Sequence, residues 1–335
     1  MSFLKYTLRS LTIPASVLTA FSAADDKKNK VGGQAIIEGV MMRGKEKVAW
    51  SLRRLDGSVT TEELTFVSLT KRKPHFGLPI VRGAINLFES FKLGYKALAR
   101  SADIAVEDEE AAKAKEKNEE IAVKKETPLK DKLFFALNMI FAFAISIGLF
   151  MYAPMWTVNR IEFIRESPLL FNLSAGIIRI TLFLIYIAAI SLWKEMRRVF
   201  EYHGAEHMAI FTYEDGKELT LDNMTKYKTV HPRCGTSFLI LVAISSILLF
   251  TVIDAIYIQH IGPFVNVAHR LGVHLILVPL VSGFSYEMLK LSDRYQRFPI
   301  VGLLIKPGLW LQKITTKTPD NTQLEIASTA LKAAL

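Results

Sequence analysis

The sequence predicts an α-helical integral membrane protein. It reads as four transmembrane helices, a small β-containing cytoplasmic N-terminal region, and a metal-site-like cytoplasmic loop between the second and third crossings. Three observations carry this. The mean hydropathy over 335 residues is +0.25, yet 22 % are Asp, Glu, Lys or Arg, so apolar and charged residues must be segregated along the chain. Four apolar stretches follow residue 130, at about 133–158, 169–193, 236–259 and 264–288. Each is near or above the ~20 residues a helix needs to cross ~30 Å of hydrocarbon. Finally, Lys and Arg gather on alternate flanks of these stretches. The one cysteine, Cys234, excludes an intramolecular disulfide framework.

Residues 1–30 pair Lys5 and Arg9 with a modest apolar run, 11–21, interrupted by Thr12, Pro14, Ser16 and Thr19. That is weak for a cleaved signal peptide and reads as a retained segment on the membrane surface or on the protein. Residues 31–100 form the soluble region. Its glycine-rich start, 32–44, lacks both the phosphate-loop ending and dinucleotide-fingerprint spacing, and implies tight turns or close approach to another surface. Alternation at 48–55, the Asp56-Gly57 turn and the run 59–69 read as two strands. Ile80, Ile85, Leu87, Phe88, Phe91 and Leu98 mark an amphipathic helix over about 76–100 that lies on the bilayer or docks on the spans. Residues 101–132 are a charged, solvated helix or linker. The membrane domain covers 133–288, including the loop 194–235. Residues 289–335 form a C-terminal segment, whose part 298–314 is broken by Pro299, Pro307 and glycines and suits an interfacial position anchored by Trp310.

Orientation follows from the flanks. Lys194, Arg197, Arg198, Lys217, Lys226, Lys228 and Arg233 lie between spans two and three, whereas Arg160 and Arg165 of the preceding turn are balanced by Glu162 and Glu166. The positive-inside rule puts both termini and the 194–235 loop in the cytoplasm of a plasma (inner) membrane. The net charge, 42 − 32 = +10, is accounted for by these flanks and their attraction to anionic lipid. No nucleic-acid partner is expected.

The loop carries Glu201-Tyr202-His203-Gly204-Ala205-Glu206-His207. Residues i and i+4 share a helix face, so His203 and His207 offer two imidazoles to one divalent metal, zinc being the natural choice. Glu206 stands where a carboxylate takes a proton from water, in the H-x-x-E-H order of inverted zinc peptidases. A catalytic zinc needs about three protein ligands and an open position. Either His231 or Cys234 completes the set, with Glu214 and Glu218 as reserve oxygen donors. Three of the seven histidines and the only cysteine fall in this one loop. The plainer alternative is that these histidines hydrogen-bond headgroups or backbone. Glu201, Glu287, Glu38 and Arg43 are candidate supporting groups. Glu38 and Arg43 either pair with each other or face the histidine loop, and Arg82 stands as a partner for that segment. Within the spans, Arg179 lies near mid-depth. Asp254 and Arg270 sit at equal depth in a hairpin and can pair, with His274 on the same face.

GGQAIIEGVMMRG, VRGAINLFES, EYHGAEHMAIFTYEDG, HPRCGTSF, SYEMLK and KPGLWLQKITTKTPD occur in that order. Over roughly residues 31–330 they resemble the YqhQ-like family of uncharacterised bacterial membrane proteins. The resemblance implies a domain of unknown function described as a metal-dependent enzyme, and it carries over to His203, Glu206, His207, His231, Cys234 and Glu287. The expected function is a metal-dependent enzyme, most simply a hydrolase, acting at the cytoplasmic face on a lipid-linked or membrane-protein substrate, with homo-oligomerisation open. The alternative is a scaffold or biogenesis factor with a structural metal.

Overall fold

The computed structural model describes residues 31–117, 129–232, 234–294 and 299–335. The segment 1–30 and residues 118–128 of the charged stretch lie outside them.

The glycine-rich stretch forms strands rather than isolated turns. β1 (Gly32–Ile36), β2 (Gly39–Arg43), β3 (Lys47–Arg53) and β4 (Val59–Thr65) build an antiparallel meander in sequence order. Ile36 pairs with Gly39, so Ile37 and Glu38 make a two-residue turn, with Glu38 left-handed at φ 53°. Among the described residues, ten helices longer than a single turn follow: α1 (Val81–Lys117), α2 (Leu129–Ile147), α3 (Ala153–Asn159), α4 (Pro168–Ile190), α5 (Lys194–Glu214), α6 (Gly235–His260), α7 (Val267–Ile276), α8 (Val278–Arg294), α9 (Pro299–Thr315) and α10 (Asn321–Ala334). Single turns such as Leu69–Arg72 and Leu221–Met224 join some of them.

Strand alternation sends Val40, Met42 and Ala49 to one face of the sheet, and Met41, Val48, Trp50 and Leu52 to the other. Both faces are covered, which is why β2 and β3 are almost wholly buried. On the second face α1 packs Leu93, Ala97 and Ile104. The helix does not stop near residue 100; it continues through the charged stretch to Lys117. On the first face lie α5 and α10, contributing Tyr202, Ala205, Ala209, Leu324, Ala327 and Leu331. Each fully buried Leu there is worth ~1.5–3 kcal/mol. α10 opens with a capping box, Asp320 accepting from the Gln323 amide and Gln323 from the Asp320 amide.

Among the described residues, three helical stretches are long and apolar enough to cross a membrane: Leu137–Asn159, Pro168–Ile190 and Gly235–His260. They leave large apolar side chains such as Phe141, Ile185 and Leu248 on the outside. The first passes through a wider π turn, Gly148–Tyr152, where the Phe150 carbonyl accepts from Arg179 Nε at 2.9 Å. The fourth stretch is not one straight helix. α7 and α8 meet at a bend of 52°, next to Pro279, whose missing N–H and fixed ring interrupt the helical ladder. α9 is likewise not fragmented by Pro307. It runs continuously along α6, with Gly308 against Ser237.

Candidate metal centre

The loop between the second and third long stretches is mostly the helix α5, which puts His203, Glu206 and His207 on one side. Their rings converge: the His203 and His207 centroids lie 4.5 Å apart. Cys234 is the N-cap of α6, its sulfur accepting from the Thr236 amide at 3.4 Å. Ligand atoms of His203, His207 and Cys234 all lie within 4.8 Å of one another.

The imidazole tautomers are fixed from behind. His203 Nδ1 donates to the Thr315 carbonyl at 2.8 Å, and His207 Nδ1 donates to the Thr229 carbonyl. A carbonyl only accepts, so the proton of each neutral ring sits on Nδ1 and the Nε2 lone pair points into the group. His203 Nε2 lies 3.2 Å from Cys234 Sγ. Two ligands of a tetrahedral zinc, at ~2.0 Å for nitrogen and ~2.3 Å for sulfur, stand ~3.5 Å apart, so the donor set fits such an ion. Burial pushes the His207 imidazole below its ordinary range, which favours the neutral, metal-ligating form.

Glu206 is buried beside them, a carboxylate oxygen 4.0 Å from His203 Nε2. Burial pushes its carboxyl up, against the opposing pull of His203, His231 and the Gly33 amide. β1 explains why a glycine stands at 33: a Cβ there would lie 2.7 Å from Glu206 Cγ. His203, Glu206, His207, His231 and Cys234 share the wall of a cleft of about 640 Å³ with β1, Asn86 and Leu87 of α1, and Phe238, Leu239 and Leu289 from the first and last turns of α6 and α8. The cleft thus lies between the sheet and the ends of the apolar helices.

The other expected site residues divide. His231 stands next to the group without joining it: its ring centroid is 5.6 Å from that of His207, and its Nε2 faces Glu214 at 3.5 Å. Its backbone is held by Gln312, which donates to its carbonyl at 2.9 Å and accepts from its amide at 2.7 Å. Glu218 is exposed. Glu201 accepts from Gln323 at 3.0 Å and faces away from the cluster into the α5–α10 contact. Glu38 and Arg43 do not pair. Glu38 takes a two-pronged bond from Arg198, and Arg43 lies 3.5 Å from Glu89 and over the Phe66 ring. Glu287 is no partner of the histidines, because Arg82 holds both its oxygens, at 2.7 and 2.5 Å. Lower in the helices, Asp254 accepts from Arg270 at 2.9 and 2.5 Å and meets His274 Nε2 at 2.9 Å. Thr229, Thr315 and Gly33 were not foreseen. Thr229 and Thr315 act through their carbonyls, which any residue could supply, so only Gly33, where a Cβ would meet Glu206, had a legible signal.

A family model described as a protein of unknown function (DUF1385) matches residues 78–335. The chain is also similar to the uncharacterized protein YqhQ of Bacillus subtilis (strain 168), at 31 % identity over 296 residues, covering 88 % of this chain and 89 % of that one. No solved structure matches.

Proposed function

The chain belongs to the DUF1385 family of proteins of unknown function; from the geometry of the His203, His207 and Cys234 group we propose that it is a metal-dependent membrane enzyme, most simply a hydrolase working at the cytoplasmic face. One observation carries the reading: two imidazole lone pairs and a thiol converge beside a buried carboxylate in the wall of a cleft. Thiolate with imidazole favours zinc over magnesium or calcium. Zinc held by His203, His207 and Cys234 would supply Lewis acidity and lower the pKa of water. The Thr315 and Thr229 carbonyls keep both rings in register. Glu206 takes a proton at its carboxylate from the attacking water and passes it to the leaving group. Phe238, Leu239, Leu87 and Leu289 exclude water and seat an apolar portion of the substrate, which suits a lipid-linked molecule or a membrane peptide.

The membrane part of the reading rests on the outward apolar side chains of the long helices, which need an apolar surrounding. The Lys and Arg flanks orient both termini and the metal centre to the cytoplasm. Metal analysis of the detergent-purified chain is expected to find a single zinc, lost in His203→Ala and His207→Ala. A metal-free wild type, unaffected by chelator, overturns the reading. Cys234 begins α6 while both histidines lie on α5, so a purely structural staple is the second reading. Glu206→Gln separates the two: an enzyme keeps its metal and loses function in cells, whereas a staple keeps both.

A further inference from the structure

α1 has three faces, and one of them is uncovered. Leu93, Ala97 and Ile104 pack on the sheet. Asn86, Leu87 and Ser90 line the metal cleft. The remaining stripe, Val81, Phe88, Phe91, Tyr95 and Leu98, is exposed, Phe88 and Phe91 by about two thirds (69 % and 67 %). These positions fall on one side of a 3.6-residue helix and run ~26 Å along it. Such a stripe of aromatic and aliphatic side chains is not a surface that water solvates cheaply.

The charges beside the stripe are sorted. Lys92 and Lys96 border it, and exposed Lys71, Arg72 and Lys73 precede the helix. Glu89, within the same stretch, is buried and taken up by Ser68, the Leu69 amide and Arg43; the exposed acidic residues of α1 begin only beyond the stripe, with Asp103, Glu109 and Glu110. The near half of α1 therefore combines apolar bulk with positive charge, and the far half carries the opposite sign.

The start of α1 is clamped to the membrane-side helices. Arg82 makes a buried two-pronged bond to Glu287 of α8, and Gly83 meets Gly283 so closely that a Cβ on Gly83 would stand 2.8 Å from its Cα. Ile80, just before, is left-handed at φ 69°, a costly state for a β-branched residue. Its amide reaches Glu287 at 3.3 Å. The Arg82–Glu287 bond and the Gly83–Gly283 approach hold the start of α1 against α8.

We propose that the exposed face of α1 is a binding surface for the anionic headgroups and upper acyl region of the bilayer that the chain's own long helices cross. Phe88, Phe91 and Tyr95 enter the headgroup boundary, Lys92 and Lys96 meet lipid phosphates, and the acidic far half stays off the surface. Because the neighbouring face of the same helix lines the cleft, the metal centre then opens at lipid level. The inference rests on the membrane reading above.

The test uses the full chain in lipid nanodiscs containing headgroup-level spin-labelled lipid. A fluorophore is attached through Phe91→Cys, Val59→Cys on exposed β4, or Phe141→Cys on α2. Quenching at 91 is expected to exceed that at 59 several-fold. It should rise when phosphatidylglycerol replaces phosphatidylcholine, and fall with Lys92→Glu and Lys96→Glu together. Quenching at 141 but not at 91 overturns this proposal alone. Quenching at neither overturns the membrane reading as well. Copy-to-copy crosslinking through Phe91→Cys in place of quenching assigns the face to an oligomer and also overturns the proposal.

Discussion

α6 touches two histidine clusters, one at its first residue and one ~30 Å further along, and they are built on opposite principles. At the lower one His274 Nε2 donates to Asp254, Arg270 donates to the same carboxylate, and Asn172 adds a third donor at 2.7 Å. His274 lies flat on Phe250 at 3.9 Å, and the Arg270 guanidinium lies 3.4 Å over Phe171. Charge is balanced within the cluster, which is how an apolar surrounding tolerates it. At the upper cluster the outer nitrogens are held by neutral carbonyls, and the inner ones face one another and a sulfur. The Cys234 thiol proton serves His203 Nε2 at 3.2 Å, and a thiophilic cation would take that proton's place. The contrast lies in the inner face: the Asp254 carboxylate is already taken up by Arg270, Asn172 and His274, whereas the upper cluster turns two imidazole Nε2 atoms and a sulfur toward one another, a set a metal can draw on.

The largest expected difference is in metal content. Cys234→Ser or His207→Ala should reduce bound zinc to under about a tenth of wild type, measured by metal analysis, whereas Asp254→Ala should leave it unchanged. Asp254→Ala should instead cost ~3–5 kcal/mol of stability, since it strands a buried guanidinium. The denaturation midpoint in detergent reads this. Zinc loss in Asp254→Ala would break the comparison by showing that the lower cluster supports the upper one. Next in size is Gly33→Ala. Its Cβ would press on the Glu206 carboxylate, so zinc should remain while function in cells falls by about tenfold, a part of the roughly hundredfold or more that a positioned acid–base group contributes.

The two clusters also differed in how far they could be read beforehand. Asp254 and Arg270 were legible as partners because a short turn sets their depths. His203 and His207 were legible because one helical turn separates them. The third member of the upper group was open between His231 and Cys234, because helical periodicity ends at Glu214 and nothing in the sequence says how the chain returns. The structure brings Cys234 in because it caps α6, while Gln312 ties the His231 backbone to α9. Partners far apart in sequence were beyond reach: Arg198 takes Glu38 from 160 residues away, and Arg82 takes Glu287 from 205. The apolar runs of the long helices were plain, but their length alone did not show that the fourth bends beside Pro279. The C-terminal helix had readable signs, the Asp320 and Gln323 box and Leu324, Ala327 and Leu331 on one face, overshadowed by the apolar segment before it.

That helix sets the smallest expected effect and sharpens the contrast. α10 packs on α5 and follows directly on Thr315, whose carbonyl holds His203. Burial pushes the Asp320 carboxyl up, but hydrogen bonds from the Thr322 hydroxyl and from the Gln323 and Thr322 amides outweigh it and hold the group below its ordinary value of 3.8. A depressed carboxyl contributes stability that is fully present above the unfolded value and is lost as pH falls through it toward the folded one. Asp320→Ala should therefore cost ~1 kcal/mol at neutral pH, the usual value of an N-cap. The difference from wild type should close as pH falls below 4, followed by chemical denaturation. The loss should raise the apparent zinc dissociation constant by a few-fold, because it loosens the backing of His203. Asp320→Asn, which keeps a capping oxygen, should restore most of the stability and remove its pH dependence. The lower cluster, with no contact to α10, should be indifferent to both changes.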